Sequence, residues 1–191
     1  MAETRYARKA GGEAVVTLKV TLQGSKPPIW RRLVMPASAS LGRLHTAIQA
    51  AMGWQNSHLH AFDAGGRTYG ARGMLDDASD ESRVTLGALA RAGHKRLTYT
   101  YDFGDSWDHL IVVEKVEAAA DGRPIPACIA GKRACPPEDC GGLWGYYELL
   151  DALADPDYPD RDERLEWLGE DFDPEAFDLA RADKAVKAGV R

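Results

Sequence analysis

The spacing of apolar side chains changes period within the first third of the chain, and that change limits the folds open to it. In "AVVTLKVTL", Val16, Leu18, Val20 and Leu22 alternate with Val15, Thr17, Lys19 and Thr21, the period-two pattern of a strand with one face buried. Turn and breaker residues in "QGSKPP" follow, and "IWRRLVM" reads as a second strand ended by Pro36; the pair predicts a hairpin. The period then lengthens. Leu41, Leu44, Ile48 and Met52 fall on one helical face, with Ser40 placed as N-cap and Gly53 as the stop. A half-buried sheet and a helix with one apolar stripe cover each other, which is the layer logic of an α+β domain.

The rest of the chain keeps this order of strands first and helices last. "SHLHAFDAGGRTYG" reads as a strand, a Gly-Gly turn and a short return strand, and "VTLGALARAG" as a brief helix ending at Gly93. "LTYTYDF" and "WDHLIVVEKV" alternate as two further strands. From Ala118 to Gly142 periodicity is weak and Pro, Gly and Cys are frequent, which predicts a long irregular connection of the kind that carries function. Helical spacing returns in "LWGYYELLDALA", in "DRDERLEWLG" and in "DPEAFDLARADKAVKAG", the last opened by Asp173 as N-cap and Pro174 in the first turn. The expected organisation is a flexible segment 1–13, one α+β domain over 14–179 whose acidic helical part starts near 143, and a C-terminal tail over 180–191.

At 191 residues, 45% apolar and 28% charged, the chain has the length and composition of one globular domain with its own core. No apolar run approaches membrane-spanning length, and the N-terminus has no apolar stretch of the kind a secretory signal needs, so a cytoplasmic protein is expected. The formal charge of −5 is unevenly spread: residues 1–50 carry eight Lys/Arg against two Asp/Glu, residues 148–191 six against fourteen. Phosphate contacts supply most nonspecific nucleic-acid affinity, so the acidic balance argues against a nucleic-acid partner. An unidentified protein or small molecule is the expected ligand.

Two stretches concentrate chemistry. In "TYTYDFGDSWDH" a two-residue loop at Gly104 and Asp105 would pair Phe103 with Ser106, Asp102 with Trp107 and Thr100 with His109. Asp102, Trp107 and His109 would then share one face, with the carboxylate orienting the imidazole. The plainer alternative is that Asp102 and Asp105 serve the turn, Trp107 packs and His109 is only a cross-strand neighbour. His58 and His60 would also share a strand face, a placement suited to two metal ligands.

The second stretch is "PACIAGKRACPPEDCGGLWGYYELL". Cys128, Cys135 and Cys140 lie close in sequence, an odd number with no export signal, which argues against a disulfide framework. Either they are packing residues or they are reactive thiols or metal ligands. Cys140 precedes Gly141 and Gly142 at a helix start, where a thiol can be acidified. Glu138 and Asp139 offer carboxylates, and Trp144 an aromatic anchor.

"YDFGDSWDH", "ACPPEDCGGLWGYYELL", "PPIWRRLVMPASASLGRLHTAIQAAMGW", "HLHAF" and "WLGEDFDPEAFDL" together resemble the plasmid pRiA4b ORF-3-like family, in order from Val15 to Leu179. The resemblance implies a bacterial or archaeal α+β domain found on chromosomes, plasmids and insertion elements, some members labelled passenger or TnpR proteins, and it brings no reaction with it. A serine recombinase would need an activated serine among arginines and a basic helix-turn-helix reader. The C-terminal third is acidic instead, and "PIWRRL" is too short to be a reader.

Two functions follow as expectations. One is a binding or accessory module whose site is formed by YDFGDSWDH and CPPEDCGG, using Asp102, Asp105, Trp107, His109, Glu138, Asp139 and Trp144, with Trp107 and Trp144 exposed as anchors. The other is a metal-dependent, hydrolase-like enzyme using the same residues, with His109, Asp102, Cys135, Cys140 and Cys128 around a metal. Separately, a zinc ion held by Cys128, Cys135, Cys140 and His109 would be structural and tie the loop to the sheet.

Overall fold

The computed structural model describes residues 13–119, 124–169 and 172–190. The expected flexible N-terminal segment, apart from Glu13, lies outside the described residues. Strands β1 (Ala14–Leu22) and β2 (Trp30–Pro36) form the expected antiparallel hairpin, with Leu18 opposite Leu33 and Val16 opposite Met35. Val16, Leu18, Val20 and Leu22 are buried as their alternation requires. Helix α1 (Leu41–Met52) closes that face. Ser40 Oγ accepts the Arg43 N–H at its start and Gly53 ends it at φ 93, a left-handed stop that costs glycine least.

β3 (His60–Ala64), β4 (Arg67–Gly70), β5 (Ser79–Asp80), β6 (Arg96–Tyr101), β7 (Trp107–Ala118) and β8 (Ala127–Lys132) complete an eight-stranded sheet in the order β5-β4-β3-β6-β7-β1-β2-β8. Its neighbours are antiparallel except for the parallel pair β4 and β5. Helix α2 (Leu86–Arg91) follows a single 3₁₀ turn at Glu81–Arg83, and α3 (Gly142–Ala154), α4 (Arg161–Leu168) and α5 (Leu179–Gly189) come last. The fold is α+β, with a mixed sheet and, among the described residues, five α-helices.

Three expectations are corrected. The connection from 118 to 142 contains β8, which pairs with β2 and places Cys128 opposite Leu33. Without it the long, apolar strand β2 would be a bare edge; the partner is far away in sequence, and Gly131 blurs the alternation. Asp173 caps a turn rather than a helix, accepting the Glu175 N–H, and α5 begins five residues later with Asp178 Oδ1 on the Arg181 N–H. Residues 173–178 instead carry Phe177 under the guanidinium of Arg31, 4.3 Å from the ring centre. A Cβ on Gly131 would lie 2.5 Å from that ring, so the approach depends on glycine. The expected tail from 180 onward is the body of α5, which packs against α1 and β8 and buries Ala182 and Val186, with Val190 buried just past its end.

Candidate functional site

The turn between β6 and β7 sets the site. Its register pairs Tyr99 with His109, Thr100 with Asp108 and Tyr101 with Trp107, one residue away from the register that a two-residue loop would impose. The loop is five residues long, Asp102 to Ser106. Asp102 and Ser106 take left-handed backbone at φ 55 and φ 53, the Ser106 N–H donates to the Asp102 carbonyl at 2.7 Å, and the Gly104 N–H donates to Asp102 Oδ1 at 2.9 Å. Asp102 can do this because a short carboxylate both tolerates that backbone and caps it.

A slip of one residue turns every side chain of a strand to the opposite face. Trp107 and His109 therefore point into the core, each with no exposed surface. Trp107 is no surface anchor. Nor do Asp102 and His109 share a face as a pair: His109 donates through Nδ1 to the Trp107 carbonyl at 2.9 Å and packs 5.4 Å from the rings of Trp54 and Tyr99. Burial pushes its pKa down to about 4, so the ring is neutral at physiological pH.

The loop before α3 folds over the hairpin, and the two motifs meet. Trp54 Nε1 donates to the Pro136 carbonyl at 3.0 Å. Glu138 Oε1 accepts from the Tyr101 hydroxyl at 2.7 Å and from the Gln55 N–H at 2.9 Å. The Tyr101 hydroxyl is held protonated by burial and by that bond. Across the gap the Gly141 N–H donates to Asp105 Oδ2 at 3.2 Å, and a Cβ on Gly142, at φ 67, would lie 2.5 Å from the Asp105 carbonyl. Gly142 is there because two backbones touch, and Gly141 because its φ of 87 is left-handed backbone.

A third segment completes the cluster. His58 lies just before β3, so it does not share a strand face with His60. Its Nε2 is 3.0 Å from Asp139 Oδ1 and 3.7 Å from Asp102 Oδ2. The ligand atoms of these three residues all lie within 4.8 Å of one another, and among the described residues they are the one such group of three or more. The Nε2 atom is shielded from solvent and makes no hydrogen bond, the nearby carboxylates notwithstanding. The sequence offered "HLHAF" as a signal for His58, but its partners come from two other segments.

That geometry removes the ligand set expected for zinc. Cys128, Cys135, Cys140 and His109 provide no three ligand atoms within that span. Cys128 is buried in β8, and all three thiols are free. Burial pushes the Cys140 thiol up to about 12, with the Asp105 and Asp139 carboxylates adding to it, and burial raises Cys135 further. The acidifying effect of a helix N-terminus is outweighed, because desolvation and two nearby anions disfavour a thiolate.

Asp139 and Cys140 also border a cleft of about 360 Å³ closed by α3 and α4, with Leu149, Asp160, Arg164 and Trp167 around it. Exposed apolar side chains flank the junction: Leu59, whose carbonyl accepts the Asp102 N–H, Phe103 on the turn, and Trp144 on the first turn of α3, which is 74% exposed. The basic pair of "IWRRL" is spent elsewhere. Arg31 is buried on backbone carbonyls of Ala51, Trp30 and Lys132, and Arg32 forms a two-pronged pair with Glu114. No helix among the described residues is long and apolar enough to cross a membrane.

A family described as plasmid pRiA4b ORF-3-like protein matches residues 14–181. An uncharacterised protein, y4hQ, of Sinorhizobium fredii is 43% identical over 177 residues, 91% of each chain. The crystal structure of a protein of unknown function, MM3350, from Methanosarcina mazei Go1 superposes with a TM-score of 0.83 at 40% identity, covering 88% of this chain and 97% of that one.

Proposed function

This chain belongs to the plasmid pRiA4b ORF-3-like family, and from that premise we propose that it is a non-catalytic binding module whose site is the junction of the YDFGDSWDH turn and the CPPEDCGG loop. The observation that carries this reading is the seating of one motif on the other through Asp105, Gly141 and Gly142. Each motif is anchored in the core, through Tyr101 and Trp107 in one and Cys135 and Cys140 in the other, and where they meet the product is a rim with Asp139 and Phe103 exposed. Carboxylates beside Leu59, Phe103, Trp144 and Trp167 suit a protein segment that offers cationic and apolar side chains. A nucleic acid does not suit this rim, since its phosphates would meet the carboxylates. Three free thiols support action in the reducing cytoplasm. Family membership supports an accessory role beside mobile elements.

The enzymatic alternative gathers Asp102, His109 and the thiols around one metal, but His109 and Cys128 are buried in the core and, among the described residues, no three of that set bring ligand atoms close together. The test of the binding reading uses two peptides of equal length, one of Lys and Leu, one of Glu and Leu, titrated into isotopically labelled protein. The cationic peptide should shift the amides of residues 102–106 and 138–142 together, and Trp144→Ala should weaken it about tenfold, as loss of an aromatic anchor does. Equal response to both peptides, or shifts confined to other surfaces, would overturn it.

A further inference from the structure

We propose that His58, Asp102 and Asp139 bind one first-row divalent metal ion, of the zinc or manganese kind, at the edge of the cleft beside α3 and α4. The inference rests on reading the junction as the protein's binding site, and it names what that site holds.

The donor set is one imidazole nitrogen and two carboxylate oxygens. Imidazole suits Zn, Fe, Ni and Cu, whereas carboxylates also suit Mn, and three protein ligands leave open positions for water or a ligand. Metal–ligand bonds of about 2.0–2.2 Å put tetrahedral neighbours roughly 3.4 Å apart. The separations of 3.0 and 3.7 Å from His58 Nε2 straddle that value, and the two carboxylate oxygens, which lie within 4.8 Å of each other, reach it with a side-chain movement of at most about 1.4 Å, which the exposed Asp139 is free to make. The turn also orients Asp102 toward the ion, because the Gly104 N–H occupies Oδ1 and leaves Oδ2 facing His58. The side chain of Asp139 is 68% exposed, so the ion would be reached from the cleft side.

The bland occupant of such a cluster is a proton on His58 shared as a salt bridge. A proton lies on a single N–H line, and neither carboxylate accepts along it: Nε2 makes no hydrogen bond although an oxygen lies 3.0 Å away. The second and third ligands of a shared ion stand off that line in the same way. A divalent charge also offsets both carboxylates at once, which one proton cannot do.

The test uses the full chain, stripped with a chelator that is then removed. Zn²⁺ is followed by calorimetry and Co²⁺ by visible absorption. One saturable equivalent is expected. His58→Ala and Asp139→Asn should each weaken it by at least tenfold, since even outer-shell partners are worth roughly 10–100-fold. Asp139 is exposed, so its variant will fold and decides the matter even if changes at Asp102 or His58 perturb the turn. Cys128→Ser, on β8 and outside the junction, should leave the affinity unchanged. Absence of saturable binding, or binding that survives both His58→Ala and Asp139→Asn, overturns the proposal. The cationic peptide titrated into metal-free protein reads the other hypothesis separately: peptide binding without metal binding sinks only the metal site, and metal binding without peptide binding sinks only the docking surface.

Discussion

Two histidine and carboxylate clusters stand out among the described residues, and they differ in whether their polar atoms are satisfied. In the first, under α1, the rings of His45 and His60 stack 3.5 Å apart and nearly parallel, and His60 Nε2 sits 2.8 Å from Glu81 Oε2. A neutral His45 donates through Nε2 to Asn56 Oδ1 at 2.7 Å and accepts at Nδ1 from the Tyr99 hydroxyl at 2.8 Å; that oxygen in turn accepts from Gln49 Nε2 at 3.0 Å. Donor meets acceptor along this chain, and burial pushes His45 down to about 4. In the second cluster His58 Nε2 is shielded yet unpartnered beside two carboxylates. The first is built to hold the fold and the second to hold something else. They are joined, because Gln49 Oε1 accepts the Asn56 N–H and the Tyr101 hydroxyl accepts the Ser57 N–H, which fixes the segment leading to His58.

If that contrast is right, the largest effect falls on the buried cluster. His45→Ala removes a stacked ring and strands Tyr99 and Asn56, and should cost about 3–4 kcal/mol in denaturant unfolding. His58→Ala should cost less than about 1 kcal/mol, so comparable losses would erase the distinction.

Acid should act on the same side of the contrast. His45 and His109 both have folded pKa values near 4, below the ordinary 6.5. The unfolded chain therefore binds more protons between those limits, and stability should be full above pH 6.5 and fall as pH drops toward 4. Each histidine contributes a slope of up to about 1.4 kcal/mol per pH unit. Urea unfolding at about pH 7.5, 6, 5 and 4.5 measures it; a flat profile in the wild-type chain would show these rings less buried than the structure has them.

Tyr99→Phe is a finer probe. It leaves Nδ1 of His45 and the Gln49 amide without their partner at almost constant volume, and should cost about 1–3 kcal/mol. The smallest effect is Asp139→Asn, which should change stability by no more than about 0.5 kcal/mol while it weakens metal binding. A large loss of stability there would make Asp139 structural and bring the two clusters back together.

Some of this was legible in the residues. The alternation of Val16, Leu18, Val20 and Leu22 and the cap and stop of α1 at Ser40 and Gly53 carry over unchanged, because period and capping are local properties. The two chemical motifs are visible as motifs, and so is an exposed Trp144. The turn register is not, because Asp102, rather than Gly104, takes the left-handed backbone, and one residue of slip exchanges the two faces. That slip sends His109 and Trp107 inward and leaves Asp102 to meet His58.

What the chain determined by itself was the kind of each long element, since helix and strand follow from side-chain spacing within a dozen residues. Strand β8, the capping of α5 by Asp178 and the company of His58 were decided only by tertiary structure. The physical reason is the same in each case. β2 needs a partner for its free edge, Arg31 needs cover from Phe177, and Gly142 lets two backbones touch. Those demands join segments between about 35 and 145 positions apart, beyond the reach of any local pattern in "HLHAF", "YDFGDSWDH" or "CPPEDCGG".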